Sequence, residues 1–151
     1  MKQTKIHTII SIMLGGFFLL LDQLFKYLAY LYPEAAHYII KPWLGWEYFE
    51  NTGIAFGMPL PQHIIRIVTP LILVILLYIL YKNKQKSFYY TLGIWLIVFG
   101  AISNFIDRVL FSMTIDYLRI ITSVINIADI MIVVGALSVL LHIQKNKSRK
   151  T

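Results

Sequence analysis

The chain has 151 residues, of which 58% are apolar and 14% charged, with a formal net charge of +7 and a mean hydropathy of +0.70. That composition excludes an ordinary soluble domain and indicates one integral-membrane domain over residues 1–151. Cysteine is absent, which excludes disulfides, thiolate metal sites and a cysteine nucleophile.

The basic excess lies in runs: Lys2 and Lys5, then Lys82, Lys84 and Lys86, then Lys145, Lys147, Arg149 and Lys150. Such runs beside apolar segments are topology signals, and no nucleic-acid partner is expected.

The first apolar segment predicts a span over 8–32. Its basic start and uncharged stretch to Leu21 have the form of a secretory signal, but the apolar pattern resumes after Asp22 and no small-x-small cleavage site follows. A retained helix is therefore expected. Asp22 and Lys26 stand four apart with the acid first, the favoured order for a helical ion pair. They read either as a neutralised pair inside the bundle or as part of a site.

Pro33 ends this helix, and an aromatic connector follows over 33–62, in which 37–40 and 46–50 predict short paired strands. It closes on Asn51-Thr52-Gly53-Ile54-Ala55-Phe56-Gly57, whose glycines allow a tight return to the membrane. Further spans are predicted over 63–81, with Pro70 inside, over 88–110, and over 125–143. Thr114 to Leu118, between the last two, is β-branched and aromatic and suits an extended segment. Gly15-Gly16 predicts close helix packing, and Tyr78, Tyr81, Tyr89 and Tyr90 predict interfacial belts.

The positive-inside rule puts both termini and the Lys82–Lys86 turn in the cytoplasm, so both long connectors lie outside. Asn104 and Asp107, and again Asn126 and Asp129, each set an amide one turn before an acid, with Asp116 between the two pairs. A charged side chain in a membrane core costs about 2.5–3.5 kcal/mol on insertion scales, so these residues need a function. Asp107, Asp116 and Asp129 are expected to converge at the outer face. Twelve residues separate Asp116 from Asp129, about 40 Å when extended, which lets the two meet.

Two close carboxylates hold one proton between them, the arrangement that activates water with a base and protonates a peptide with an acid. Residue types alone do not assign that proton. Asn126 is a plausible helix N-cap before Asp129. Scattered histidines and the absence of a Gly-x-Ser-x-Gly elbow leave zinc and serine peptidases without parts. A divalent-cation site on the three acids stays open, as does a small non-catalytic transporter or adaptor with buried polar residues.

The chain resembles the bacterial lipoprotein signal peptidase family, also called signal peptidase II, through five boxes in order. They are Asp22-Gln23-Leu24-Phe25-Lys26, Asn51-Thr52-Gly53-Ile54-Ala55-Phe56, Gly100 through Asn104 to Asp107-Arg108, Ile115-Asp116-Tyr117, and Val124-Ile125-Asn126-Ile127-Ala128-Asp129. Ile125 stands where the family usually has Phe, and the short Asp116–Asp129 link implies a shorter outer loop.

The resemblance implies an aspartic endopeptidase that removes signal peptides from diacylglyceryl-prolipoproteins just before the lipid-bearing cysteine. By box it makes Asp116 and Asp129 the catalytic pair and Asn51 and Arg108 substrate-binding. Asp22, Lys26, Gly53, Asn104, Asp107 and Asn126 become supporting residues. The expected protein is an all-α membrane bundle of four spans with a small external β-cradle. It is a monomer in the bacterial cytoplasmic membrane, in contact with lipids, with its site near the outer face and no metal or organic cofactor.

Overall fold

The computed structural model describes residues 2–53, 60–83 and 87–148, with only the backbone given for 2–4. Residues 54–56 of the second box, with Gly57 after it and Lys84, Lys86, Arg149 and Lys150 of the basic runs, lie outside the described residues. Among the described residues four helices form: α1 (Lys2–Leu31), α2 (Gln62–Lys82), α3 (Phe88–Phe111) and α4 (Ile127–Ser148). All four are long and apolar enough to cross a membrane. The shortest, α2, has 21 residues, about 31 Å at 1.5 Å each, and continues through Pro70.

The described residues also hold four strands: β1 (His37–Ile40), β2 (Leu44–Asn51), β3 (Thr114–Ile120) and β4 (Ser123–Ile125). They make one antiparallel sheet in the order β1-β2-β3-β4. It lies at the end of the bundle where α1 and α3 finish and α2 and α4 begin. The cradle thus draws on both long connectors, not on 33–62 alone. The central pair sets Phe49 opposite Asp116 and Asn51 opposite Thr114, with an irregularity between Trp46 and Phe49.

Several boundaries differ from the sequence reading, two of them at helix starts. Helix α1 already begins at Lys2, ahead of the apolar segment. The last span starts after Asn126, because Val124 and Ile125 pair with Arg119 and Leu118 across β3–β4. A short β-branched run has no periodicity to separate the end of a strand from the start of a helix.

Helix α3 is the centre of the bundle and packs on α1, α2 and α4. Lipid is as apolar as the side chains, so close backbone approach must supply much of the association. A Cβ on Gly93 would stand 2.7 Å from the Gly135 carbonyl, one on Gly135 2.5 Å from the Gly93 carbonyl, and one on Gly100 2.7 Å from that of Ala128. The α3 and α4 backbones therefore touch along two turns. Gly15 admits the Phe99 ring, where a Cβ would come within 2.4 Å. Tyr90, expected in an interfacial belt, is instead buried with Leu80, Ile94 and Val98 against α2.

Two side-chain contacts hold the α3 end. Arg66 of α2 donates from Nε to the Arg108 carbonyl at 3.0 Å and from Nη2 to Ser112 Oγ at 2.6 Å. Its cation thereby meets the negative end of the α3 dipole, where Ser112 takes a left-handed φ of 61° to leave the helix.

Gly135→Ala is expected to lower the thermal stability of the purified protein in detergent by about 1–3 kcal/mol, since a backbone carbonyl cannot yield to the new methyl. Gly16→Ala, whose Cβ meets nothing nearer than the Phe99 ring at 4.0 Å, is expected to leave it unchanged.

Candidate active site

The site is built outward from Lys26, buried on α1 with Asp22 one turn before it. An ammonium has three N–H donors, and Lys26 Nζ meets three acceptors: Asp22 Oδ2 at 2.9 Å, Asp107 Oδ2 at 2.9 Å and Asn104 Oδ1 at 2.8 Å. Because a lysine can only donate, the Asn104 oxygen must face it. The Asn104 NH2 is thereby turned the other way, onto Asp129 Oδ1 at 2.9 Å.

Each carboxylate of the Lys26 triad is tied again. Asp22 accepts from Ser103 Oγ at 2.6 Å and from the Tyr117 hydroxyl at 2.7 Å. Asp107 accepts from Gln23 Nε2 at 3.1 Å and from the Ile115 N–H at 3.2 Å. Burial first, and then the Asp22 charge, push the Tyr117 hydroxyl far above its ordinary range, so it stays a donor. These bonds join α1, α3 and β3, and so fix the strand that carries Asp116.

Asn126 joins the two acids. Its Nδ2 donates to Asp116 Oδ1 at 2.6 Å, with a longer contact of 3.2 Å to Asn104 Oδ1. Its Oδ1 accepts the Asp129 N–H at 2.9 Å, and Asp129 Oδ2 reaches back to the Asn126 N–H at 3.4 Å. This is a reciprocal cap at the start of α4, with Asn and Asp in the places of the usual Ser and Glu. The spacing of three that marked Asn126 and Asp129 in the sequence is thus the spacing of a capped helix start.

Asp116 is fully buried, and Asn51 Nδ2 donates to its second oxygen at 2.9 Å. Asn51 is in turn held by a local turn in which its Oδ1 accepts the Gly53 N–H at 3.0 Å. Burial first, then the charge of Asp129, push the Asp116 carboxyl up to about 7, against the pull of the Asn51 and Asn126 amides and of Lys26.

In front of the pair opens a cleft of about 770 Å³, with Asp129, Asn51, Asn104 and Arg108 on its polar side and apolar side chains such as Ile65 and Val133 on the other. Arg108 donates from Nη2 to the Gly53 carbonyl at 2.7 Å and from Nη1 to Gln62 Oε1 at 3.2 Å. No carboxylate lies within ion-pair distance of it among the described residues, so the neighbouring Asp107 is not its partner.

The structure therefore brings together Asp116, Asp129, Asn51, Asn104 and Asn126, with Arg108 and Gly53 at the rim and Asp22 and Lys26 behind. Asp107 sits at the same end of the bundle, with its carboxylate on Lys26 Nζ and the Ile115 N–H. Gln23, Ser103, Tyr117, Gln62 and Arg66 complete the site and carry no motif of their own. Only the positions of Gln23, Ser103 and Tyr117 inside three of the five boxes could have pointed to them.

Four membrane-length helices closed around an acid-and-amide cluster define a small polytopic membrane protein with a built polar site. The family profile of signal peptidase (SPase) II matches residues 14–145. A lipoprotein signal peptidase of Caldanaerobacter subterraneus subsp. tengcongensis is 38% identical over 133 residues, covering 84% of this chain and 90% of that protein. One of Streptococcus pneumoniae is 30% identical over 155 residues, covering 97% of each. A solved bacterial membrane enzyme superposes with a TM-score of 0.86 at 27% identity, over 94% of this chain and 92% of its own. The chain belongs to the signal peptidase II family, and its function is that of a lipoprotein signal peptidase.

Lys26→Met leaves two buried carboxylates without their cation and is expected to cost about 3–5 kcal/mol, read as a large fall in melting temperature in detergent. A stability within about 1 kcal/mol of the parent protein would contradict the triad as drawn.

Proposed function

We propose that the chain is an aspartic endopeptidase in which Asp116 and Asp129 are the catalytic pair, cutting diacylglyceryl-prolipoproteins just before the lipid-modified cysteine. The observation that supports this reading is Asn126, which hydrogen-bonds one acid through its side chain and caps the helix start that carries the other. One acid is fully buried, with its carboxyl pushed up to about 7, and the other lines the cleft.

In this mechanism Asp116 holds the shared proton and Asp129 is the base. Asp129 takes a proton from water as the water oxygen bonds to the scissile carbonyl carbon, and Asp116 gives its proton to the carbonyl oxygen. The tetrahedral diol then collapses. Its C–N bond breaks, Asp129 passes its proton to the leaving amine, and Asp116 recovers a proton from a diol hydroxyl. The pair returns to its starting state with one water consumed.

Asn51 and Arg108 hold the substrate backbone at the mouth, while Asp22, Lys26, Gly53, Asn104, Asp107 and Asn126 keep the pair in place. The apolar side of the cleft suits a substrate whose acyl chains stay among lipids. Lys2, Lys5, Lys82, Lys145 and Lys147 gather at the opposite end of the bundle from the sheet. This supports cytoplasmic termini and a site near the outer face of the cytoplasmic membrane. The protein works as a single-domain monomer among membrane lipids.

Asp116→Asn and Asp129→Asn are each expected to lower cleavage of a lipidated precursor by about 100-fold or more. Full activity in either would overturn the mechanism. In the parent protein kcat/KM is expected to fall as pH rises through about 7, because Asp116 then loses the proton it donates. A profile flat from pH 6 to 9 would contradict that assignment.

A further inference from the structure

Among the described residues, three buried side-chain atoms have no hydrogen-bond partner: His7 Nδ1, Trp95 Nε1 and Thr114 Oγ1. Of the three residues, only Thr114 lines the cleft in front of the acids. It is 2% exposed, on the first residue of β3. The polar side chains closest to the pair are bonded: Asn51, Asn104, Asn126, Arg108 and Tyr117 each have partners in the protein. A hydroxyl left unmatched in so well-matched a setting carries a desolvation penalty, and a valine of the same shape would avoid it.

The place of Thr114 gives the hydroxyl a use. Side chains alternate along a strand, so Thr114 and Asp116 share one face of β3, roughly 7 Å apart at 3.3 Å per residue. Thr114 also stands directly across from Asn51, which holds Asp116 from the neighbouring strand. An extended substrate repeats its backbone groups with the same two-residue period.

We propose that the Thr114 hydroxyl is a substrate-binding group that hydrogen-bonds the peptide backbone of the prolipoprotein about two residues from the scissile bond. The reading rests on the substrate lying over Asp116 and Asp129, and it adds a contact one period along the strand. A hydroxyl can donate or accept, so it serves either an N–H or a carbonyl of the bound chain. Thr114 is therefore a positioning contact for the reaction and takes no part in proton transfer.

The test compares Thr114→Val and Thr114→Ser with the parent protein, purified in detergent and assayed on a synthetic diacylglyceryl-cysteine precursor peptide. Thr114→Val is expected to lose about tenfold in kcat/KM, while its melting temperature holds or rises because an unpaired hydroxyl has been replaced by a methyl. Thr114→Ser is expected to stay within about threefold of the parent, and the pH at which activity falls is expected not to move in either variant. Thr114→Val within twofold of the parent would overturn the proposal. So would a Thr114→Val loss that Thr114→Ser shares in full, which would indicate packing by the methyl instead. Asp116→Asn assayed alongside keeps the two questions apart: activity retained there sinks the aspartic mechanism, whatever Thr114→Val does.

Discussion

Three protons on one buried nitrogen set the geometry of this protein. Lys26 binds an acid on its own helix, and an acid and an amide on α3, each at 2.8–2.9 Å. Because a lysine cannot accept, the Asn104 amide has a single orientation, and that orientation presents its NH2 to Asp129. The same ion pair anchors β3, since Asp22 holds the Tyr117 hydroxyl and Asp107 holds the Ile115 N–H on either side of Asp116. Burying such charges is costly, and replacing them with apolar residues could be less so. What the arrangement supplies is direction: each amide around the pair can face only one way.

The acids themselves are placed by ordinary secondary structure. Asp129 occupies the third position of a capped helix, where N–H groups are unpaired in any helix, and Asp116 occupies a central strand, where a side chain is buried by its neighbours. Asn126 is the final residue before α4 and touches both. A single amide thus turns the strand-to-helix junction into the centre of the site. The glycine contacts of α3 with α4 bring Asn104 close enough to Asp129 to bond it, so the close helix packing and the polar geometry depend on each other.

Much of this was legible in the sequence, where function imposes a local pattern. The paired Asn-x-x-Asp spacing is visible because helical neighbours three apart share a face, and the four spans are visible because lipid demands long apolar runs. The reach of Lys26 to α3 was not legible: the four-residue spacing shows Asp22, but nothing local shows Asp107 or Asn104 across the bundle. For the same reason the helical register of Asp107 gave the end of the bundle and not the partners of its carboxylate. Ile125, the last residue of β4, was read as the start of the fourth span because so short an apolar run carries no period. Arg66 and Thr114 gave no sign at all, the first acting on another helix's end and the second distinguished only by the partner it lacks.

The central claim is that the acid pair retains a proton at neutral pH and that Asp116 carries it. Infrared difference spectroscopy across a pH titration of the intact protein observes that proton on the carboxyl itself. The account predicts a protonated-carboxyl band that disappears as pH rises through about 7 and is missing from Asp116→Asn. The absence of such a band at neutral pH in the parent protein, or its unchanged presence in Asp116→Asn, would contradict it.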